Sequence, residues 1–442
     1  MAAVPYQSSA DTAERLIAEA MRQGTSHLTT GLDEPPGTFL RIGGRDLLNF
    51  GTCGYLALEQ DERIQRGAVD AIARFGMQFS VSRSYVASGL NLELEELLGE
   101  MYEGHPVLVY SSTSLCHISV LPALLGAGDH AVLDQQVHFS VQTAAQLVRH
   151  QGVELAMVRH GDLDALRRRL RRSQASGERV WYLIDGVYSM FGDVAPVEEL
   201  ARLMEEYPAL HLYVDDAHGM SWYGRHGTGY VFERLGRRLG GRVVLVTTLA
   251  KGFGTIGGVA VFPTGEAYEK VRINGGPLMY SHPLPPPMLG AAIASARIHL
   301  SARIGELQAE LAERREYCNG LLAAAGLPVV SDPRTPVYYL GLGEPEVSYA
   351  MVRRMLDEGF YVNQSSFPVV PLKKSGLRFT LTRHVGRDHI RALVEALAHH
   401  LPRALHETGR TTADVRSAFG RMLPGAGPEP APEAGAAATR AG

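Results

Sequence analysis

Val243-Val244-Leu245-Val246-Thr247-Thr248-Leu249-Ala250-Lys251-Gly252-Phe253-Gly254 is the stretch that decides how this chain folds. Four apolar residues, three of them β-branched, read as a strand covered on both faces. Small and flexible residues end it, with one lysine aimed off its carboxyl end. In isolation such a lysine is a solvated loop residue. Buried at a strand end, it loses charge and becomes a nucleophilic amine that condenses with an aldehyde.

Further short apolar runs lie outward from this strand, at 107–110, 131–133, 155–158, 180–184, 210–214 and 259–262. Helical stretches such as 194–206 separate them. Near-continuous apolar strands alternating with helices predict an α/β fold with a mostly parallel sheet covered by helices. Ligands in such sheets gather beyond the carboxyl ends of the strands. Lys251 falls there, as does Asp215-Asp216-Ala217-His218 after the 210–214 run.

Ahead of the series, 10–22 reads as an amphipathic helix, and helix signals recur at 61–75 and 92–103. Pro283-Leu284-Pro285-Pro286-Pro287 punctuates the chain after it. One long helix over 288–325 follows, then a strand, a helix, a strand pair and a terminal helix: a smaller α+β unit. The expected division is an arm over 1–48, a large domain over 49–287, a small C-terminal domain over 288–405 and a tail over 406–442. Residues 425–442 are mostly Ala, Pro, Gly and Glu, too poor in apolar surface to order themselves.

With 442 residues, 45% of them hydrophobic, the chain can bury a large core in more than one lobe. The 43 basic and 47 acidic residues leave a net charge of −4, which gives no bulk attraction to nucleic acid. The run Arg167-Arg168-Arg169-Leu170-Arg171-Arg172 follows Asp162 and Asp164 and reads as a solvated helix face. Three scattered cysteines (Cys53, Cys116, Cys318) make neither a disulfide framework nor a metal site, and they suit a reducing compartment. There is no secretory pattern and no apolar run of bilayer length, so the expectation is a cytoplasmic protein with no membrane span.

A pyridoxal-phosphate (PLP) enzyme needs an amine for the aldehyde, an anion beside the pyridine nitrogen, a flat group on the ring, donors for the phenolic oxygen and a phosphate cradle. The chain offers Asp185-Gly186-Val187-Tyr188-Ser189-Met190-Phe191-Gly192-Asp193, then Val214-Asp215-Asp216-Ala217-His218-Gly219, then Gly224-Arg225-His226-Gly227-Thr228-Gly229, then Thr248-Leu249-Ala250-Lys251. In this order and spacing they resemble the α-oxoamine synthases (the aminooxononanoate synthase, ketobutyrate-glycine ligase, aminolevulinate synthase and serine palmitoyltransferase group). These are fold-type-I PLP transferases, and the likeness runs from about residue 49 to about 397.

The resemblance implies the following roles. Lys251 carries PLP as a Schiff base, Asp215 pairs with the pyridinium nitrogen, and His138 stacks on the ring. His218 and Ser189 approach the phenolic oxygen. Thr248 and the Ser112, Thr113 and Ser114 turn hold the phosphate. Arg378 holds the substrate carboxylate, with Cys53 and Tyr55 beside it. The implied reaction is the decarboxylative condensation of an amino acid with an acyl thioester, on coenzyme A or an acyl carrier protein, to give an α-amino ketone. The implied assembly is a homodimer.

Taken singly, each residue has a plainer reading: Asp215 as a helix cap, His138 as a core histidine, Ser189 as a turn hydroxyl, Thr248 as a strand end, Arg378 as a surface ion-pair residue. Fold alone does not fix the reaction. An aminotransferase or decarboxylase on the same fold is the nearest alternative, and a non-catalytic partner subunit a more distant one, since such subunits lack the lysine.

The chain departs from the family pattern at its edges. Thr113 and Ser114 replace a glycine and an aromatic in the phosphate turn. Cys53 stands where the family carries an asparagine near the amino-acid carboxylate. Ser281-His282 replaces Ser-Thr before the prolines, and Asn91 replaces a histidine, while Ser82-Arg83 is kept. The sequence leaves open the amino acid, the acyl chain and the thioester carrier.

Overall fold

The computed structural model describes residues 9–31, 37–174 and 177–423. The expected loose segment 425–442 lies outside the described residues. A hairpin comes first, β1 (Phe39–Ile42) and β2 (Arg45–Asn49). Gly43 and Gly44 both have positive φ, 59° and 77°, which is the backbone a tight two-residue hairpin turn requires.

Seven strands then form one sheet: β3 (Val107–Tyr110), β4 (His130–Asp134), β5 (Glu154–Val158), β6 (Val180–Asp185), β7 (Leu210–Asp215), β8 (Val243–Thr248) and β9 (Gly258–Val261). Their order is β3-β9-β8-β7-β6-β4-β5, and β9 alone runs antiparallel to its neighbours. All seven apolar runs of the sequence are in this sheet. Side chains alternate between its faces. Trp181, Leu183, Tyr213, Val244 and Val246 pack with the helices Thr113–Leu124 and Phe139–Arg149, while Tyr182, Ile184, Leu212, Val214 and Leu245 pack into the larger core on the other side.

From β4 the chain turns outward to β5, then returns to the other side of β4 as β6. The carboxyl ends of β4 and β6 therefore flank a crevice where strand order reverses, the usual ligand position in an open α/β sheet.

The C-terminal lobe has strands β10 (Val337–Gly343), β11 (Phe360–Tyr361), β12 (Asn363–Ser365) and β13 (Ser375–Thr380). β10, β13 and β12 form one small sheet, and β11 joins the β1-β2 hairpin in another. The N-terminal segment also folds onto this lobe: the Ser9–Arg22 helix buries Leu16 and Ala20, and Tyr349 Oη donates to Leu16 O at 3.0 Å.

Two details differ from the sequence reading. The long helix expected over 288–325 is two helices, Pro286–His299 and Arg303–Ala324. Ser301 makes the break: its hydroxyl donates to Ile298 O at 2.7 Å and accepts from Arg303 N at 3.2 Å, closing one helix and opening the next. The expected tail begins too early, because Thr412–Phe419 is a helix with Val415 and Phe419 buried, and the Phe419 ring packs against Tyr339 of β10. β13 is buried along its whole length, so Arg378 is a buried charge, and the plainer reading of it as a surface ion-pair residue does not hold.

Candidate active site

The carboxyl ends of β6, β7 and β8 open into a cavity of about 180 Å³. It is lined by Thr113, Ser114, His138, Ser140, Asp185, Val187, Asp215, Ala217, His218, Thr248 and Lys251. Seven residues singled out by sequence (Lys251, Asp215, His218, His138, Thr248, Thr113 and Ser114) thus face one space. Burial lowers the Lys251 amine below the ordinary lysine value, against the attraction of Cys53 and Asp215. That direction favours the free, nucleophilic amine.

Asp185 and Asp215 are paired neighbours in β6 and β7. Their environments separate them. Burial drives the Asp185 carboxyl well above the usual range, and the charge of Asp215 adds to it, so Asp185 holds its proton. Burial would raise Asp215 too, but the hydrogen bond from His117 and nearby positive charge, Lys251 included, pull it down. One carboxylate remains anionic at the cavity floor. Asp215 Oδ1 also accepts from the Ala217 amide at 3.0 Å.

His218 is held neutral by burial and by the positive charges of Lys251 and Arg378. Its Nδ1 lies 2.6 Å from Tyr55 Oη. Burial pushes the Tyr55 phenol well above its ordinary value, so Tyr55 keeps its proton and donates it. His218 Nε2 then carries the ring proton as a donor. Tyr55 is fully buried and supports His218 rather than lining the cavity.

His138 caps the Phe139–Arg149 helix. Its Nδ1 lies 2.7 Å from Ser140 Oγ, and its backbone amide donates to Asp185 Oδ1 at 2.9 Å. Thr248 Oγ1 donates to Gly257 O at 3.2 Å and accepts from Ala250 N at 3.1 Å. Ser112 is not on the cavity wall. Its hydroxyl is the N-cap of the Thr113–Leu124 helix and accepts from Leu115 N at 3.2 Å. The first-turn amides of that helix have no intrahelical acceptor. Strand β9 backs the turn so closely that a Cβ on Gly258 would lie 2.6 Å from both Ser112 O and Thr113 Cα.

Arg378, Cys53 and Ser189 form an adjoining cluster. Arg378 Nε donates to Ser189 O at 2.7 Å, and its Nη2 lies 3.6 Å from Cys53 Sγ. Ser189 thus engages the cluster through its carbonyl, not its hydroxyl. Burial would raise the Cys53 thiol, but the charges of Arg378 and Lys251 hold it below the ordinary thiol value.

Sequence reading passed over His117. The ring is fully buried, with Nε2 at 2.9 Å from Asp215 Oδ2 and Nδ1 at 2.8 Å from Tyr213 Oη. A signal was there: Tyr213 and Asp215 share a strand face at i and i+2, and His117 lies one turn inside the helix that covers it.

A PLP molecule matches this donor set: amine at Lys251, anion at Asp215, imidazole at His138, neutral donor at His218, and a helix N-terminus with two hydroxyls at Thr113 and Ser114. Among the described residues no cluster of His, Cys, Asp and Glu could hold a metal ion, and no helix is long and apolar enough to cross a membrane.

The family defined by aminotransferase class I and II matches residues 45–397. The 8-amino-7-oxononanoate synthase of Alkaliphilus metalliredigens is 28% identical over 86% of this chain and 94% of its own length. That of Symbiobacterium thermophilum is 29% identical over 81% and 88%. Among solved structures, serine palmitoyltransferase from S. paucimobilis with a bound PLP–myriocin adduct aligns with a TM-score of 0.80 at 25% identity, covering 91% of this chain and 100% of the other. Sphingomonas wittichii serine palmitoyltransferase gives the same TM-score and identity over 91% and 99%. The chain belongs to the aminotransferase class I and II family and, within it, to the α-oxoamine synthases. It is a PLP-dependent enzyme of that type.

Proposed function

We propose that this enzyme joins an amino acid to an acyl thioester with loss of CO2, giving an α-amino ketone, and that the residues around the cavity divide the work as follows. The observation that carries the reading is the convergence of Lys251, Asp215, His218 and His138 on one cavity at the strand ends. Pyridoxal phosphate, when held there, supplies an electron sink for the pair left by a bond broken at the amino acid's α-carbon.

Asp215 supplies the negative charge that keeps the ring nitrogen protonated. His218 Nε2 would donate to the phenolic oxygen, and His138 would cover the ring face. Thr113, Ser114, Thr248 and the helix amides hold the phosphate. Lys251 Nζ, whose burial shifts it toward the free base, is the group placed to take the α-proton. Arg378 receives the amino-acid carboxylate and fixes which α-bond can break. Cys53 already engages one of its donors, so the incoming carboxylate must share or displace that contact. This is the reason we expect an altered amino-acid preference.

We also propose a homodimer. Ser82 Oγ donates to Met279 O at 2.5 Å, tying the segment of Met77, Tyr85 and Val86 to the helix that carries Tyr280. Met77, Tyr85 and Tyr280 are 67%, 84% and 88% exposed in the single chain, an apolar surface that a second copy would cover. A cytoplasmic setting fits the three unpaired cysteines.

The test mixes enzyme, PLP, an amino-acid panel and a generic acyl-CoA. Thiol release that requires one amino acid, with an amino-ketone mass in the products, supports condensation. Keto-acid-dependent amine exchange without thiol release assigns the enzyme to transamination instead.

A further inference from the structure

Beneath the cavity floor three side chains run in line: Tyr213 Oη, His117 and Asp215. The two links are 2.8 Å and 2.9 Å long. Tyr213 and His117 are fully buried and Asp215 is 4% exposed, so water cannot substitute for either link. Proton bookkeeping fixes the direction of the chain. Asp215 Oδ2 only accepts, so His117 Nε2 carries a proton. Burial pushes the Tyr213 phenol well above its ordinary value, so Tyr213 keeps its own. Tyr213 O–H then points to Nδ1, and Nε2–H to Asp215.

No other side chain meets Asp215 at hydrogen-bond distance among the described residues. His138 and Lys251 also act on it, by charge rather than by a bond, and Asp215 in turn raises the Asp185 carboxyl and the buried Cys116 thiol. Two neighbouring carboxyl groups, Asp185 and Asp215, compete to be the one anion of the floor. Geometry favours Asp215, because only it has an imidazole donor aimed at it.

We propose that His117, braced by Tyr213, is a positioning residue that selects Asp215 over Asp185 as the anion under the cofactor ring and fixes its orientation. The proposal rests on the PLP reading of the cavity and goes beyond it, since no role for His117 or Tyr213 follows from that reading. His117 touches neither cofactor nor substrate and acts only through Asp215.

The test titrates apoenzyme with PLP and follows the visible absorption of the bound cofactor against pH. Wild type is compared with His117→Leu, His117→Gln and Tyr213→Phe, and the melting temperature of each is recorded. Glutamine places an amide N–H near the Nε2 position, and leucine removes the donor. A hydrogen bond to a buried charge sets the scale, so H117L should weaken PLP binding by about tenfold to a hundredfold and shift the pH of the spectral change. H117Q should stay within about threefold of wild type, and Y213F should fall between. If H117L does not fold, Y213F carries the test: wild-type PLP affinity and spectral pH in Y213F overturn the proposal. So does H117L behaving as wild type, or H117Q as impaired as H117L at equal melting temperature. Failure of the wild-type protein itself to bind PLP would instead sink the cofactor reading.

Discussion

At the end of the site proposed to hold the cofactor, Asp185, Asp215 and Lys251 leave three adjacent strands of one sheet, and His117 and His138 come from helices packed on the same face. At the end proposed to hold the substrate, Arg378 rides on β13 of the C-terminal lobe, Cys53 on the loop after β2, and Ser189 on the loop after β6. The first group is placed by strand register: a slip of one residue would carry Asp215 to the opposite face. The second is placed by packing between separate segments, through contacts such as the 3.6 Å approach of Arg378 to Cys53. Departures from the family pattern spare Lys251, Asp215 and His218 but fall at both ends, at Cys53 and in the turn of Thr113 and Ser114.

The largest effect should come from the sheet end. Asp215→Asn removes the floor's anion and should cut turnover by roughly a hundredfold to a thousandfold, with altered absorption of bound PLP. Arg378→Leu should raise the KM for the amino acid by about a hundredfold and leave PLP affinity near wild type. If both ends lose cofactor affinity together, the separation drawn here is wrong. Cys53→Asn should shift the ranking of amino acids by about tenfold in kcat/KM with an unchanged cofactor spectrum, as read from a substrate panel.

The smallest effect concerns stability. Asp216, wedged where a Cβ on Gly186 or Gly219 would lie 2.3 or 2.2 Å from its Oδ1, has that oxygen unpartnered. Burial, aided by Asp215, pushes its carboxyl up to about 8 from 3.8. The folded chain therefore holds a proton that the unfolded chain releases between these values. The stabilisation is full below about pH 4 and is lost as pH rises through about 8. Asp216→Asn should flatten that slope in melting temperature measured across pH 5 to 8.

Much of this was legible in the sequence. Strands with apolar side chains on both faces announce themselves by composition, so all seven sheet runs could be read to within a residue or two. Lys251, Asp215 and His218 stand at strand ends whose positions follow from those runs. His117 was not legible in the same way, because its meaning comes from Tyr213 and Asp215, nearly a hundred positions away. The break at Ser301 needed a hydroxyl acting on both sides of one short turn. The Thr412–Phe419 helix did leave a mark: Thr411 and Asp414 make a capping box, a start signal inside what composition read as tail.

The claim beneath all of this is that the Lys251 amine holds the cofactor beside the Asp215 carboxylate. Reducing the PLP-loaded protein with borohydride and mapping its peptides by mass spectrometry tests it most directly. A pyridoxyl mass on the peptide containing Lys251, absent in Lys251→Ala, is the predicted result; the label on another lysine, or on none, would contradict it.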